Sequence, residues 1–375
     1  MPPDVVVAGL GAMGSAAACH LAGRGLSVLG IDPFRTPHRY GSTHGDSRII
    51  REAYFEDPGY VPLVRRAHAL WRELEADGDR PLLHTCGVLS VGPADAGSLA
   101  GVERSARQHG IPLEALGAGE VAHRFPGLTL PEGHQSQLEP GAGVLSPEAG
   151  VMGHLAAARR AGAEIRSGTR VTGWRATPHG VEVEIGGETV HADRLVLAAG
   201  PWMPELLPGL PLEVERQLVH WFEPRGDRHR FAAEQFPAVL WETEDGVLFY
   251  LVPDLGRGVK VALHHGGERG PRSRLSPHPR DADVQSMREV LARWLPEVDG
   301  THLRSEVCWY TNTPDGHFLI DRHPESERVL IVSPCSGHGF KFAPAIGEAV
   351  ADLVTGSDPR ADLASFRLER PALSR

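Results

Sequence analysis

The sequence predicts an α/β protein: a Rossmann-like parallel sheet assembled from separated stretches of chain, and a mixed-sheet α+β domain built from the segments between them. Three observations carry this. A βαβ unit with a glycine-rich first turn fills residues 5 to 32. Two later strands, near 194 and 329, each run into a glycine loop. The intervening segments are rich in short strands and poor in helices.

Val5-Val6-Val7-Ala8 is a continuous apolar run, as expected for a strand buried on both faces of a parallel sheet. Gly9-Leu10-Gly11-Ala12-Met13-Gly14 follows, then an alanine-rich helix to about Arg24 and a second strand from Leu26 to Ile31, ending at Asp32. Each glycine has a task. Gly9 makes the tight turn, Gly11 lets backbone approach a pyrophosphate, and Gly14 allows close packing of helix on strand. Asp32, 18 residues beyond Gly14, is placed to accept a hydrogen bond from a ribose hydroxyl. An acid there favours the unphosphorylated ribose of FAD or NAD over NADP and does not choose between the two.

The second piece, Arg194 to Gly200, follows a run of alternating short strands between about Val171 and Val190, and its strand-to-Ala-Ala-Gly pattern resembles a secondary signature of FAD-binding oxidoreductases. The third, Val329 to Val332, enters the loop Ser336-Gly337-His338-Gly339, with a helix over 343 to 354. The nucleotide-binding domain is therefore expected to be discontinuous, over 1–81, 145–210 and 308–375. The remainder, 82–144 and 211–307, forms a substrate domain. Its strands are expected at 214–222, 238–242, 247–252 and 258–264, with helices near 95–109 and over Asp281 to Trp294.

Composition narrows the partners. The chain has 375 residues and a net charge of −10 without a basic run, which argues against nucleic acid or an anionic membrane and for a small molecule. Hydrophobic content of 41% and charged content of 23% exclude the disordered and fibrous classes. Of its cationic residues 36 are Arg and two, Lys260 and Lys341, are Lys, a skew that makes individual arginines uninformative and the two amines worth tracing. Cys19, Cys86, Cys308 and Cys335 are too dispersed for a disulfide framework or a zinc site, so no metal is expected. No signal peptide is expected, and no apolar stretch reaches the roughly 18 residues that span a bilayer. A cytoplasmic monomer is the expectation.

Four stretches then meet in order on one chain: His44-Gly45-Asp46-Ser47-Arg48-Ile49-Ile50-Arg51, Gly258 to His264, Cys308-Trp309-Tyr310-Thr311-Asn312-Thr313-Pro314-Asp315, and Ser336 to Lys341. Together, with similar spacing from about Asp4 to Pro371, they resemble the monomeric sarcosine oxidase and N-methyltryptophan oxidase family. The resemblance implies FAD bound covalently through the Cys308 sulfur to the flavin 8α-methyl carbon. It also implies oxidation of an N-methyl or other secondary amino acid to an imine, with oxygen as acceptor and hydrogen peroxide as product. Related flavoenzymes acting on glycine, D-amino acids or cyclic imino acids such as pipecolate are the alternative, as oxidases or as dehydrogenases.

The expected cofactor contacts are Gly9, Gly11, Gly14, Asp32, Ser42, His44, Arg48, Gly200, Cys308, Gly337, Gly339 and Lys341. The expected catalytic set is Lys260, Arg48, His264, His338, Tyr250 and Tyr310. By resemblance, Arg51 pairs with Lys341 to bind the substrate carboxylate, and Arg48, on a helical turn three residues before Arg51, lies next to the flavin. Read as chemistry, an ammonium at Lys260 beside a reduced flavin stabilises the superoxide-like charge that develops as oxygen takes an electron. A planar guanidinium at Arg51 grips a carboxylate through two hydrogen bonds, and Lys341 at the mouth of the last helix adds a second cation. Plainer readings stay open: a solvated strand lysine at Lys260, a surface salt bridge from Arg51 to Glu52 or Asp57, a small buried hydrophobe at Cys308, core packing for Tyr250 and the histidines. Val239, Leu240 and Trp241 are candidates for a side-chain pocket.

Overall fold

The computed structural model describes residues 1–373. Its first sheet has six strands in the order Leu319–His323, Ser326–Ser333, Arg194–Leu197, Val5–Ala8, Val28–Asp32, Glu164–Ser167. All neighbours are parallel except the first pair. The three widely separated pieces of the expected nucleotide-binding unit thus meet at its centre. All four residues of Val5–Ala8 are buried. Val5 and Val7 face helices Ala12–Gly23, Pro147–Arg160 and Ala343–Thr355, while Val6 and Ala8 face the antiparallel strands Val171–Thr177, Gly180–Ile185 and Glu188–Ala192. Sheet between helices and a second small sheet explains the continuous apolar run.

The fingerprint glycines are required sterically. A Cβ at Gly14 would lie 1.7 Å from the Gly9 carbonyl oxygen, and Gly9 itself has φ +93° with the Ala198 carbonyl oxygen 2.5 Å from where a Cβ would stand. The helix after them is alanine-rich because Ala343–Thr355 packs across it: a Cβ on Gly347 would meet the Ala16 backbone at 2.6 Å.

The second domain is built on a nine-stranded mixed sheet. Glu213–Glu223 is its longest internal element, bordered by Val259–Leu263 along one edge and by Thr301–Asn312 along the other. Beyond Val259–Leu263 come Leu248–Val252, Ala238–Glu242 and Val88–Pro93, the last pair parallel. Alternation decides the faces. Val239, Trp241, Phe249, Leu251, Val259 and Val261 pack into a core closed by the helix Asp281–Trp294. Leu240, Tyr250, Lys260 and Ala262 therefore point the other way, toward the first domain.

Two local expectations change. Arg48 is not on a helical turn: Arg48–Ile50 is a short strand, paired antiparallel with Gly143–Leu145, a partner that neighbouring sequence does not reveal. The division drawn at 307/308 falls inside the strand Thr301–Asn312, which pairs along its whole length with Glu213–Glu223, so Cys308 is carried by the larger sheet. Among the described residues no helix is long and apolar enough to cross a membrane. No group of three or more His, Cys, Asp or Glu among them is placed to hold a metal.

Candidate active site

A cavity of about 410 Å³ lies where the two sheets face each other. Its lining begins at Gly9, Gly11 and Asp32 of the first βαβ unit, passes Ser42, Arg48 and Gly200, and ends against Cys308, Tyr250, His264, Tyr310 and the Gly337–Lys341 loop. Asp32 accepts hydrogen bonds from the Leu10 and Phe34 amides, both at 2.9 Å, which fixes its carboxylate at the end of the second strand. Thr43 Oγ1 accepts from the Ala12 amide at 3.2 Å and ties the next loop to the helix that follows the fingerprint.

At the far end Cys308 is buried, and its sulfur lies 3.6 Å from both Arg48 Nη2 and the Ser42 carbonyl oxygen. Arg48 donates to the carbonyls of Ser47 (2.7 Å) and Ser42 (2.9 Å), so its charge is fixed by backbone, and among the described residues no carboxylate is paired with it. The 336–339 loop is pressed onto the same wall. Gly337 has φ +82°, and a Cβ there would lie 2.6 Å from the Tyr310 ring and 2.9 Å from His264. His264 and Tyr310 approach at 3.3 Å. Burial drives His264 down to about 3 and pushes Tyr250 up to about 12, so both are neutral across the physiological range.

The two residues expected to bind a carboxylate come together at the cavity wall. Arg51 is 4% exposed and Lys341 7% exposed, and both line the cavity. The partners anticipated for Arg51 are engaged elsewhere: Glu52 binds Arg65, and Asp57 caps Gly59. Arg51 instead donates to Glu56 Oε2 (2.8 Å) and the Ala53 carbonyl (2.7 Å). Burial alone would raise the Glu56 carboxyl, but Arg51 above all brings it down to about 2. Lys341 donates to the His338 carbonyl (2.9 Å) and Tyr54 Oη (3.3 Å); burial, aided by Arg51, lowers its amine to about 7. His338 Nε2 contacts the Gly316 carbonyl, so it carries the proton and Nδ1 accepts from Tyr54 Oη at 2.6 Å. Tyr54 thus supports both cations, because the Arg51 guanidinium lies 4.4 Å from its ring centroid.

Three expected residues stand outside the lining: Gly14, which instead packs its helix on the Gly9 backbone, Lys260 and His44. Lys260 is 2% exposed and binds the carbonyls of Gly45 and Ser47, both at 2.8 Å, with Arg48 and Ser47 between it and the cavity. It is not a solvated strand lysine, and burial, with Arg48 next, lowers its amine to about 7. His44 turns away toward Glu306 (2.9 Å) and borders a neighbouring recess instead. Of the three pocket candidates only Leu240 reaches the cavity; Val239 and Trp241 belong to the opposite core. Glu56 and Tyr54 carry no motif of their own. Only the count of residues from Arg51 hints at Glu56.

Buried neutral histidines give the fold an acid-side signature. His154 and His264 are lowered from 6.5 to about 3, and His220 and His338 to about 4, in each case chiefly by burial. Between pH 6.5 and 4 the unfolded chain binds protons that the folded chain does not, so stability falls as pH falls through that window. The thermal unfolding midpoint, followed by circular dichroism, is expected to drop steadily from pH 6.5 to 4; a flat profile contradicts this.

The donor set fits FAD. Ser42 Oγ is buried in the cavity wall without a partner among the described residues. Gly9, Gly11 and Gly200 leave backbone bare along the same path, and a thiol stands at its end. Comparison with known proteins agrees. Residues 4–353 match the FAD dependent oxidoreductase family. The chain is 42% identical over 361 residues to a monomeric sarcosine oxidase of Streptomyces avermitilis, covering 94% of each protein. It is 39% identical over 373 residues to an N-methyl-L-tryptophan oxidase of Yersinia pestis strain Pestoides F, covering 99% of this chain and all of that protein. In fold it resembles the glycine oxidase of Geobacillus kaustophilus, with TM-score 0.81, 22% identity and 98% of each chain covered. NikD, an amino acid oxidase of nikkomycin biosynthesis, superposes with TM-score 0.85 at 24% identity over 97% of each chain.

Proposed function

From the premise that the chain belongs to the sarcosine oxidase and N-methyltryptophan oxidase family of FAD-dependent oxidoreductases, we propose that it oxidises the C–N bond of an N-methyl or other secondary amino acid with oxygen. The observation that carries this reading is one cavity holding the fingerprint loop, the Cys308 thiol and two buried cations, Arg51 and Lys341. FAD bound there supplies a two-electron acceptor for the C–H bond beside the substrate nitrogen and passes the electrons to oxygen as hydrogen peroxide. The imine is then hydrolysed by water, to formaldehyde and the primary amino acid where an N-methyl group was oxidised.

The chain's own residues bind and orient. Arg51 exchanges Glu56 for the substrate carboxylate, and Lys341 completes the grip while its second acceptor, Tyr54, keeps the amine in place. This fixes the substrate at one end and directs its nitrogen toward Tyr250, His264 and Tyr310, whose neutral rings exclude water and do not repel an uncharged amine. The substrate must lose its ammonium proton before oxidation, so turnover rises with pH as the bound amine deprotonates. Arg48 and Lys260 place positive charge on the cavity side where oxygen is reduced.

Covalent attachment belongs to the same proposal. Cys308 is the cysteine whose sulfur meets the cavity beside Arg48, at 3.6 Å from its guanidinium. Acid precipitation is expected to leave the yellow colour in the pellet of the native protein and in the supernatant of Cys308→Ser. Colour in both pellets would move the linkage elsewhere. The function itself is tested by a panel of N-methyl amino acids, cyclic imino acids, glycine and D-amino acids scored by peroxide release. A secondary amino acid is expected to lead; a primary one in first place overturns the substrate class.

A further inference from the structure

The amine of Lys260 is held by a single turn. Its Nζ donates to the carbonyls of Gly45 and Ser47, both at 2.8 Å, with Ser47 Oγ at 3.4 Å. The residue between them, Asp46, has φ +66°, a left-handed conformation that is unusual for a side-chain-bearing residue and that turns both flanking carbonyls toward one point. Something must hold the turn in that shape. Glu148, in the first turn of helix Pro147–Arg160, does so from behind: its Oε1 accepts from the amides of Gly45 (2.8 Å) and Asp46 (3.2 Å).

The charges around this turn are unequally shared. Burial above all opposes an ammonium at Lys260, with Arg48 on the strand Arg48–Ile50 next, and the carboxylates of Glu148 and Asp46 favour one. Asp46 is already claimed by Arg257 at 3.0 Å and by a short contact from Arg304. The Arg304 guanidinium lies 3.7 Å from the Trp221 ring centroid, and Lys260 Nζ lies 5.7 Å from the same centroid. Glu148 makes no ion pair among the described residues, and both its hydrogen bonds go to the turn that grips the lysine.

We propose that Glu148 is a positioning residue for Lys260: its carboxylate ties the Gly45–Ser47 turn into the shape that grips the amine and sets a negative charge behind that turn. The consequence for oxygen reactivity rests on the function proposed above. The charge state of Lys260 does not, and it can be read directly, because the chain contains only two lysines. Holoenzyme labelled with [ε-13C]lysine gives two side-chain resonances, assigned by Lys260→Met, and each is titrated.

Glu148→Gln keeps an oxygen for the two amides and removes the charge. The Lys260 resonance is expected to titrate roughly one pH unit lower, a tenfold shift in its protonation equilibrium, while Lys341 titrates as in the native protein. The pH profile of the reaction between reduced enzyme and oxygen moves by the same amount, and anaerobic reduction by substrate is unchanged. Glu148→Asp, which retains the charge, restores the titration. Should Glu148→Gln fail to fold, Glu148→Ser, which admits water behind the turn, is titrated instead with the same expected fall. An unshifted Lys260 resonance in the uncharged variant overturns the proposal. A shifted resonance without a shifted oxygen profile upholds the role of Glu148 and removes Lys260 from the oxygen reaction.

Discussion

Lys260→Met is expected to leave anaerobic reduction by substrate within a few-fold of native and to slow the reaction of the reduced enzyme with oxygen by about 10²–10³-fold, the usual loss when one preorganised charge-stabilising donor is removed. Lys260 is buried and does not line the cavity, so its loss leaves the carboxylate grip of Arg51 and Lys341 untouched. Methionine fills a similar volume, and each carbonyl that loses the amine keeps another donor, Gly45 the Ser47 amide (2.8 Å) and Ser47 the Arg48 guanidinium (2.7 Å), so the cost is that of the lost charge-assisted hydrogen bonds, at most roughly 1.5–3 kcal/mol each, and no group is left unpaired. Flavin content and thermal unfolding therefore accompany the kinetics. Rapid mixing of substrate with oxygen-free enzyme, followed separately by mixing of reduced enzyme with oxygen, resolves the two halves. Collapse of the first half contradicts the role given to Lys260.

Arg51→Met is expected to weaken binding of a carboxylate-bearing substrate by about 10²–10³-fold, as two charge-assisted hydrogen bonds at roughly 1.5–3 kcal/mol each are lost, partly offset by Lys341. It also strands Glu56. A buried ion pair broken from one side costs about 3–5 kcal/mol because the remaining charge has no partner. Arg51→Met combined with Glu56→Gln removes that second penalty, so the double variant should recover thermal stability without recovering affinity. An N-methyl amine lacking a carboxylate should be affected little by either. Recovery of affinity along with stability would mean that Arg51 holds the fold and not the substrate.

The parallel part of the fold was legible because its signals are local. Val5–Ala8 reads as a doubly buried strand, Gly9 and Gly14 sit where a Cβ would strike backbone, and Asp32 ends the next strand as expected. The strands of the larger sheet were legible one by one, from alternation within Val259–Leu263 and its neighbours. Their pairing was not. Arg48–Ile50 becomes a strand only through Gly143–Leu145, and the strand carrying Cys308 is placed by Glu213–Glu223.

The site divides in the same way. The two lysines stood out against a background of arginine, and both are buried at or beside the cavity. Glu148, Tyr54 and Glu56 gave no comparable signal. Glu148 reaches its turn across a separation of 103 residues, and Tyr54 reaches His338 across 284. Glu56 is close in sequence, yet only the backbone after Arg51 decides that it, and not Glu52 or Asp57, receives the guanidinium.

The most direct test of the account is an anaerobic titration of the holoenzyme with a secondary amino acid chosen from the panel. Loss of the flavin's yellow absorbance in proportion to substrate added, followed by its return on admitting air with one hydrogen peroxide formed per flavin, is the predicted result. A flavin that stays oxidised with every secondary amino acid, or one that is bleached but returns no peroxide in air, would contradict it.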